Sequence, residues 1–145
     1  MRHQEEINGL VLFSKNYREK DKLVKLFTEA YGKKMFFVKN ANRKNNPLTA
    51  ALQPFTQALF IGDLKDEGLS FLNNVKDIKP YETIQKDIFI SAYATYMMNL
   101  VDVAIEDNTY DPALFSFSKQ ALDLLNKGYD PEIITNIFEV QLLDR

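Results

Sequence analysis

The hydrophobic pattern of this chain changes period once, near Pro80. Before Pro80, short apolar runs rich in β-branched and aromatic residues stand between turn signals, as strands do. The first run covers residues 7–14, centred on Leu10, Val11, Leu12 and Phe13, with Gly9 near its start where a bulge or a close backbone approach is expected. Two further runs, residues 22–28 and 33–39, flank Glu29-Ala30-Tyr31-Gly32 and predict a β-hairpin. An Asn-rich loop follows over residues 40–46, and residues 47–53 have room for about two helical turns between Pro47 and Pro54. Residues 55–64 predict a fourth strand and residues 69–78 a weaker fifth, with Gly62 and Gly68 in the loop between them. Five short strands with a brief helix between the third and fourth have the element order of an OB-fold, a small Greek-key barrel.

After Pro80 apolar residues recur at helical spacing. Ile84, Ile88, Ala92, Tyr96, Leu100 and Val103, widened by Phe89, Tyr93 and Met97, predict one long helix with this stripe in its core. Asp111-Pro112 opens a second, whose core face is Leu114, Phe115, Phe117, Ala121, Leu122 and Leu125, and Gly128 closes it. Asp130-Pro131 opens a third, with Ile133, Ile134, Ile137, Phe138 and Leu142 inward. The expected class is therefore α+β: a five-stranded OB-fold nucleic-acid-binding domain over residues 1–80, then an all-α domain of three helices over residues 81–145. The third helix meets Arg145 without a stop signal, so the natural protein is expected to continue.

Composition narrows the function classes. With no cysteine there is no disulfide, thiolate metal site or cysteine nucleophile. His3, in a terminus expected to fray, is the single histidine, and the sequence has no Gly-rich phosphate loop, so no catalytic residue is assigned. Asp102 and Glu106 stand four apart on a predicted helix, a spacing that could hold a metal, but no His or Cys completes a site and a solvated acidic face is the better reading. Residues 1–6 are too polar for a signal peptide and residues 88–101 too short and interrupted for a membrane span. A soluble cytoplasmic protein is expected.

Charge changes the picture more. The net charge is -2, yet residues 1–50 carry 11 Lys+Arg against 5 Asp+Glu, while residues 81–145 carry 4 against 11. A basic first part and an acidic last part suit different partners. OB barrels hold single strands with a basic groove and rings on which bases stack. Candidates for phosphate contact are Lys15, Arg18, Lys25, Lys33, Lys34, Lys39, Arg43 and Lys44, and candidate stacking rings are Tyr17, Tyr31 and Phe37. The competing bland readings are a solvated strand edge for each lysine and core packing for Phe37.

Several segments resemble the RecO family of bacterial DNA repair proteins. Tyr17-Arg18-Glu19-Lys20-Asp21 is similar to that family's Tyr-x-Glu-x-Asp turn, Phe27-Thr28 with Gly32 to its Phe-Thr-x-x-x-Gly segment, and Leu52-Gln53-Pro54-Phe55 to its Leu-Gln-Pro-Phe. Ala92-Tyr93 with Asp102, Leu114-Phe115, and Phe138-Glu139 with Leu142-Leu143 follow in family-like order. The family's Lys-Gly-Ala-Arg appears here as Lys39-Asn40-Ala41-Asn42-Arg43-Lys44, which keeps the charge and alters the backbone. The resemblance implies an N-terminal OB-fold, a helical domain and, beyond Arg145, a Cys-based zinc module, with no cofactor in this chain. It also implies a nucleoid-associated recombination mediator that binds single- and double-stranded DNA, anneals strands, contacts the SSB tail, and works with RecR to help RecA load. An acidic SSB tail needs a basic rim, and the helical part supplies only Lys86, Lys119 and Lys127 before its terminus, so no SSB-binding residue is assigned. Two rival readings stand beside the mediator: a barrel-plus-helices adaptor that binds only proteins, and an enzyme whose active site lies in a further C-terminal portion.

Overall fold

A computed structural model describes residues 4–41, 43, 45–66, 68–106 and 109–144, so His3, Asn42, Lys44 and Arg145 lie outside the described residues. The strands β1 (Gln4–Tyr17), β2 (Asp21–Thr28), β3 (Gly32–Val38), β4 (Thr56–Asp63) and β5 (Ser70–Pro80) close a barrel in the order β1-β2-β3-β5-β4. All pairings are antiparallel except β3 with β5. This is the expected OB-type barrel, followed by helices, in an α+β fold. Val24, Leu26, Phe36, Val38 and Phe60 point inward into a core that Leu48, Ala51 and Leu52 cap. Leu48 and Ala51 come from α1 (Leu48–Ala51), one turn rather than the expected two; Asn46 Oδ1 accepts the Leu48 N–H and Leu52 is the C-cap.

One irregularity in β1 decides which side chains reach the surface. Leu10 pairs with Phe27 and Val11 with Leu26, but the next pair is Phe13 with Lys25, so Leu12 is an extra residue. A bulge of this kind resets the alternation of faces. Without it, the positions on the same outer face as Leu10 would continue through Ser14 and Asn16; with it, Phe13, Lys15 and Tyr17 take that face. Gly9, where a bulge or close approach was expected, proves to be the close approach: a Cβ there would stand 3.3 Å from Leu26 Cδ1 and 3.7 Å from the Phe60 ring. Gly62 lies inside β4, not in the following loop, because a Cβ would fall 2.0 Å from the Phe71 carbonyl oxygen.

The hairpin turn is locked by Thr28, whose hydroxyl donates to the Gly32 carbonyl at 2.7 Å and accepts the Tyr31 N–H at 3.0 Å. At the barrel's exit, Phe55 is held at φ 60. Its ring is buried among the helices, and its carbonyl accepts the Tyr81 N–H (3.0 Å) and the Gln85 side-chain N–H (3.3 Å). The Leu52-Gln53-Pro54-Phe55 segment thus ties the barrel core, through Leu52, to the helical core, through Phe55.

Among the described residues four helices follow Pro80 where three were expected. The long one is split into α2 (Glu82–Lys86) and α3 (Ile88–Ala104) because Asp87 adopts an extended backbone and caps α3, accepting the Phe89 and Ile90 N–H groups at 2.9 and 3.2 Å. The split also rephases the helix. Ala94, Met97, Met98 and Val101 are buried, whereas Ile88, Phe89, Tyr96 and Val103 of the expected core stripe are exposed. In α4 (Pro112–Asn126) the expected face is inward apart from half-buried Phe117, which stacks on Phe138 at 4.8 Å. In α5 (Pro131–Leu143) Ile134, Thr135 and Phe138 are buried, while Ile133 and Ile137 face out. The helices share one core with Leu10 and Phe27 of the barrel's outer face, where the Phe27 and Phe115 rings meet at 5.5 Å.

Candidate nucleic-acid interface

The outer face of the hairpin side is organised in cross-strand rows. The row nearest the helices is Phe27 and Lys33; the next is Phe13, Lys25 and Met35; the third is Lys15, Leu23, Phe37 and Phe71, spanning β1, β2, β3 and β5. Alternation puts all of these opposite the inward-facing Val24, Leu26 and Phe36. In the third row Phe37 meets Tyr17 edge-on at 6.1 Å and Phe71 edge-on at 5.8 Å, a ladder of three rings that are half-buried or more open. Cations bracket it. The Arg18 guanidinium lies 5.2 Å from the Tyr17 ring centre and Lys65 Nζ 5.3 Å from that of Phe71, within cation–π range. Lys15 is exposed on the same row.

Other cations frame the end of the barrel. Glu19, Lys20, Asn40 and Arg43 line a cavity of about 430 Å³ between the β1–β2 turn and the loop after β3. There the Asp21 carboxylate accepts the Asn40 N–H at 2.9 Å, and Asn40 takes φ 56. Lys39 and Arg43 are exposed beside it. Lys34 donates to the Lys65 carbonyl at 3.1 Å, which steadies the loop that carries Lys65.

Three of the expected contacts need correction. Lys33 is 5% exposed, its Nζ donating to the Asp102 carbonyl at 2.6 Å and lying 3.1 Å from the Asp102 carboxylate. Lys25 Nζ lies 3.0 Å from the same carboxylate and 4.8 Å from the Phe13 ring. Both ammonium groups therefore fasten the barrel to α3; Lys33 is closed to phosphate altogether. Tyr31 lies off the ladder, packed against the barrel core with its hydroxyl donating to Glu5 at 3.5 Å. The Asp102–Glu106 pairing also dissolves: Glu106 lies past the end of α3, and Asp102 is engaged by the two lysines. Burial pushes the Asp102 carboxyl up, but hydrogen bonds and charge from Lys25 and Lys33 outweigh it and hold it below the usual value. Among the described residues no group of three or more His, Cys, Asp or Glu could hold a metal, and no helix is long and apolar enough to cross a membrane.

Phe71, Lys65 and Phe13 are members of this surface that sequence reasoning missed. The parallel pairing that brings Phe71 to Phe37 joins residues 34 apart with no local signal, and Phe13 reaches the surface only through the bulge.

Two family models match the chain: recombination protein O N terminal over residues 1–81 and recombination protein O C terminal over residues 85–145. Among similar proteins, the DNA repair protein RecO of Enterococcus faecalis is 63% identical over 140 residues, 97% of this chain and 53% of that protein. The DNA repair protein RecO of Lactococcus lactis subsp. cremoris (strain MG1363) is 51% identical over 140 residues, 97% of this chain and 55% of that protein. That of Latilactobacillus sakei is 50% identical over 139 residues, 96% of this chain and 51% of that protein. The chain spans about half the length of these curated relatives.

Proposed function

We propose a function from one premise: this chain belongs to the recombination protein O family. It serves DNA repair and recombination as a mediator that binds DNA through the outer face of its barrel and performs no catalytic turnover. The observation that carries this reading is the ladder Tyr17–Phe37–Phe71 with Arg18 and Lys65 at its ends and Lys15 in its row. Rings at this spacing suit bases that stack in succession, and cations at both ends suit the phosphates between them. Such a surface tolerates any base sequence, as annealing and mediation require. Annealing of complementary strands and assistance to RecA loading, with RecR and the SSB tail as partners in a bacterial cytoplasm, complete the proposal for the whole protein.

Single-strand affinity measured against salt tests it. Phosphate contacts make log affinity fall steeply and linearly with log salt between about 50 and 200 mM. Replacing Lys15, Arg18 and Lys65 together by glutamate should flatten that slope, and Phe37→Ala should weaken binding about tenfold or more with the slope kept. Binding insensitive to both changes would refute the ladder as the site and favour the protein-only adaptor.

A further inference from the structure

The exposed apolar stripe of α3 is a second surface, on another element from the ladder. Phe89, Ala92, Tyr96 and Val103 follow one another at helical spacing; Phe89 is 77% and Val103 86% exposed. Isolated exposed apolar residues are ordinary, but a contiguous stripe of them is a mark of an interface. Beside it, α5 raises an acidic wall. Ala92, Tyr93 and Tyr96 on one side and Glu132, Thr135, Asn136 and Glu139 on the other line a groove of about 350 Å³. Glu139 stands near the Tyr96 hydroxyl on the facing wall, and its carboxylate raises the phenol's pKa. Thr135, only 5% exposed, has a buried hydroxyl with no hydrogen-bond partner among the described residues.

We infer that this groove docks a basic amphipathic segment of a protein partner, its apolar side chains on the α3 stripe and its Lys or Arg side chains against Glu132 and Glu139. The floor is apolar and aromatic, so it gains by burial and by cation–π contact with Tyr93 and Tyr96. Among the described residues no lysine or arginine lines the groove, and residues 81–145 carry 4 basic against 11 acidic side chains, which selects a positive ligand and repels nucleic acid. A second copy docking through the same groove by two-fold symmetry would bring Glu132 and Glu139 against their own kind, so self-pairing is disfavoured. An apolar floor of Ala92, Tyr93 and Tyr96 beside an acidic wall fits an amphipathic helix with one apolar and one basic face.

The probe is an 18-residue fluorescent peptide of Leu and Lys that places all leucines on one helical face, compared with a peptide of equal composition and scrambled order. Anisotropy on this chain should show the patterned peptide binding more tightly than the scrambled one. Glu132→Lys with Glu139→Lys should weaken it about tenfold, as losing two surface ion pairs would. Tyr96→Ala should also weaken it, while Glu82→Lys, elsewhere on the acidic part, should leave it unchanged. Unaltered single-strand affinity in each variant reports that the fold is kept. Equal loss in Glu82→Lys, or equal binding of the scrambled peptide, would mean bulk charge attraction and overturn the inference. Probe binding that disappears when the chain is carried to the full length of its relatives would assign the groove to the polypeptide itself, and a concentration-dependent dimer dissolved by the charge reversal would assign it to a second copy; either also overturns it.

Discussion

Asp102→Asn is the most informative single change, because it keeps the shape of the side chain and removes the charge to which two lysines of the barrel are tied. Loss of one partner from a fully buried ion pair costs about 3–5 kcal/mol, and from an exposed pair about 0–1. The side chains here are 7% exposed for Lys33, 17% for Lys25 and 30% for Asp102, so the triad falls between these limits. Lys33 would retain the Asp102 main-chain carbonyl, and Lys25 can swing toward solvent. We expect a loss of about 2 kcal/mol. In urea that moves the unfolding midpoint down by about 1 M, and in a thermal scan it lowers Tm by about 6 °C. Lys33→Met in the Asp102→Asn background should recover part of the loss, since it removes a buried ammonium that has lost the Asp102 carboxylate. A midpoint shift equivalent to under about 0.5 kcal/mol, or a double variant whose cost is the sum of the two single costs, would refute the clamp.

The same carboxylate predicts an acid limb. Its folded-state pKa lies below the unfolded value, so its contribution is complete above about pH 4 and is lost as pH falls through the folded value; acid unfolding of Asp102→Asn should show a smaller contribution over that range. Lys33→Glu should lower Tm, because it sets a carboxylate beside that of Asp102 in a buried place, whereas Lys39→Glu should leave Tm alone and weaken DNA binding; circular dichroism and anisotropy separate the two. Gly32→Ala should destabilise by about 3 kcal/mol, read from urea unfolding, since the residue sits at φ 77 and a Cβ would fall 2.0 Å from the Thr109 carbonyl oxygen.

Strand number and most boundaries were legible because each strand is a local apolar run ended by a turn residue. The barrel's closure followed from element order. Helix starts at Asp111 and Asp130 were equally legible, since a cap and an adjacent proline are local signals. The core face of α3 was not. Periodicity predicted one unbroken helix and carried its stripe through Ile88, Tyr96 and Val103, but Asp87 breaks the helix, and its capping role competes with continuation in a way no apolar count registers. Lys33 misled for a related reason. A lysine at strand spacing reads as solvated unless one knows that Asp102, 69 residues away, will meet it.

What divides the cations of the barrel is therefore their row and not their chemistry. Lys33, Lys25 and Lys15 stand on the same outer face in successive rows. The helices cover the first row through Phe27 and Phe115, leave Phe37 of the third half-buried, and reach the second at the Lys25–Asp102 contact. Lys25 is shared at that border, 4.8 Å from the Phe13 ring on one side and 3.0 Å from the carboxylate on the other. The position of α3 thus sets how far the ring-and-cation surface extends toward the helices, and the bulge at Leu12 decides whether β1 contributes to it at all. A strand without that extra residue would turn Phe13, Lys15 and Tyr17 toward the barrel interior, leaving Phe37 and Phe71 with cationic neighbours at one end and none from β1.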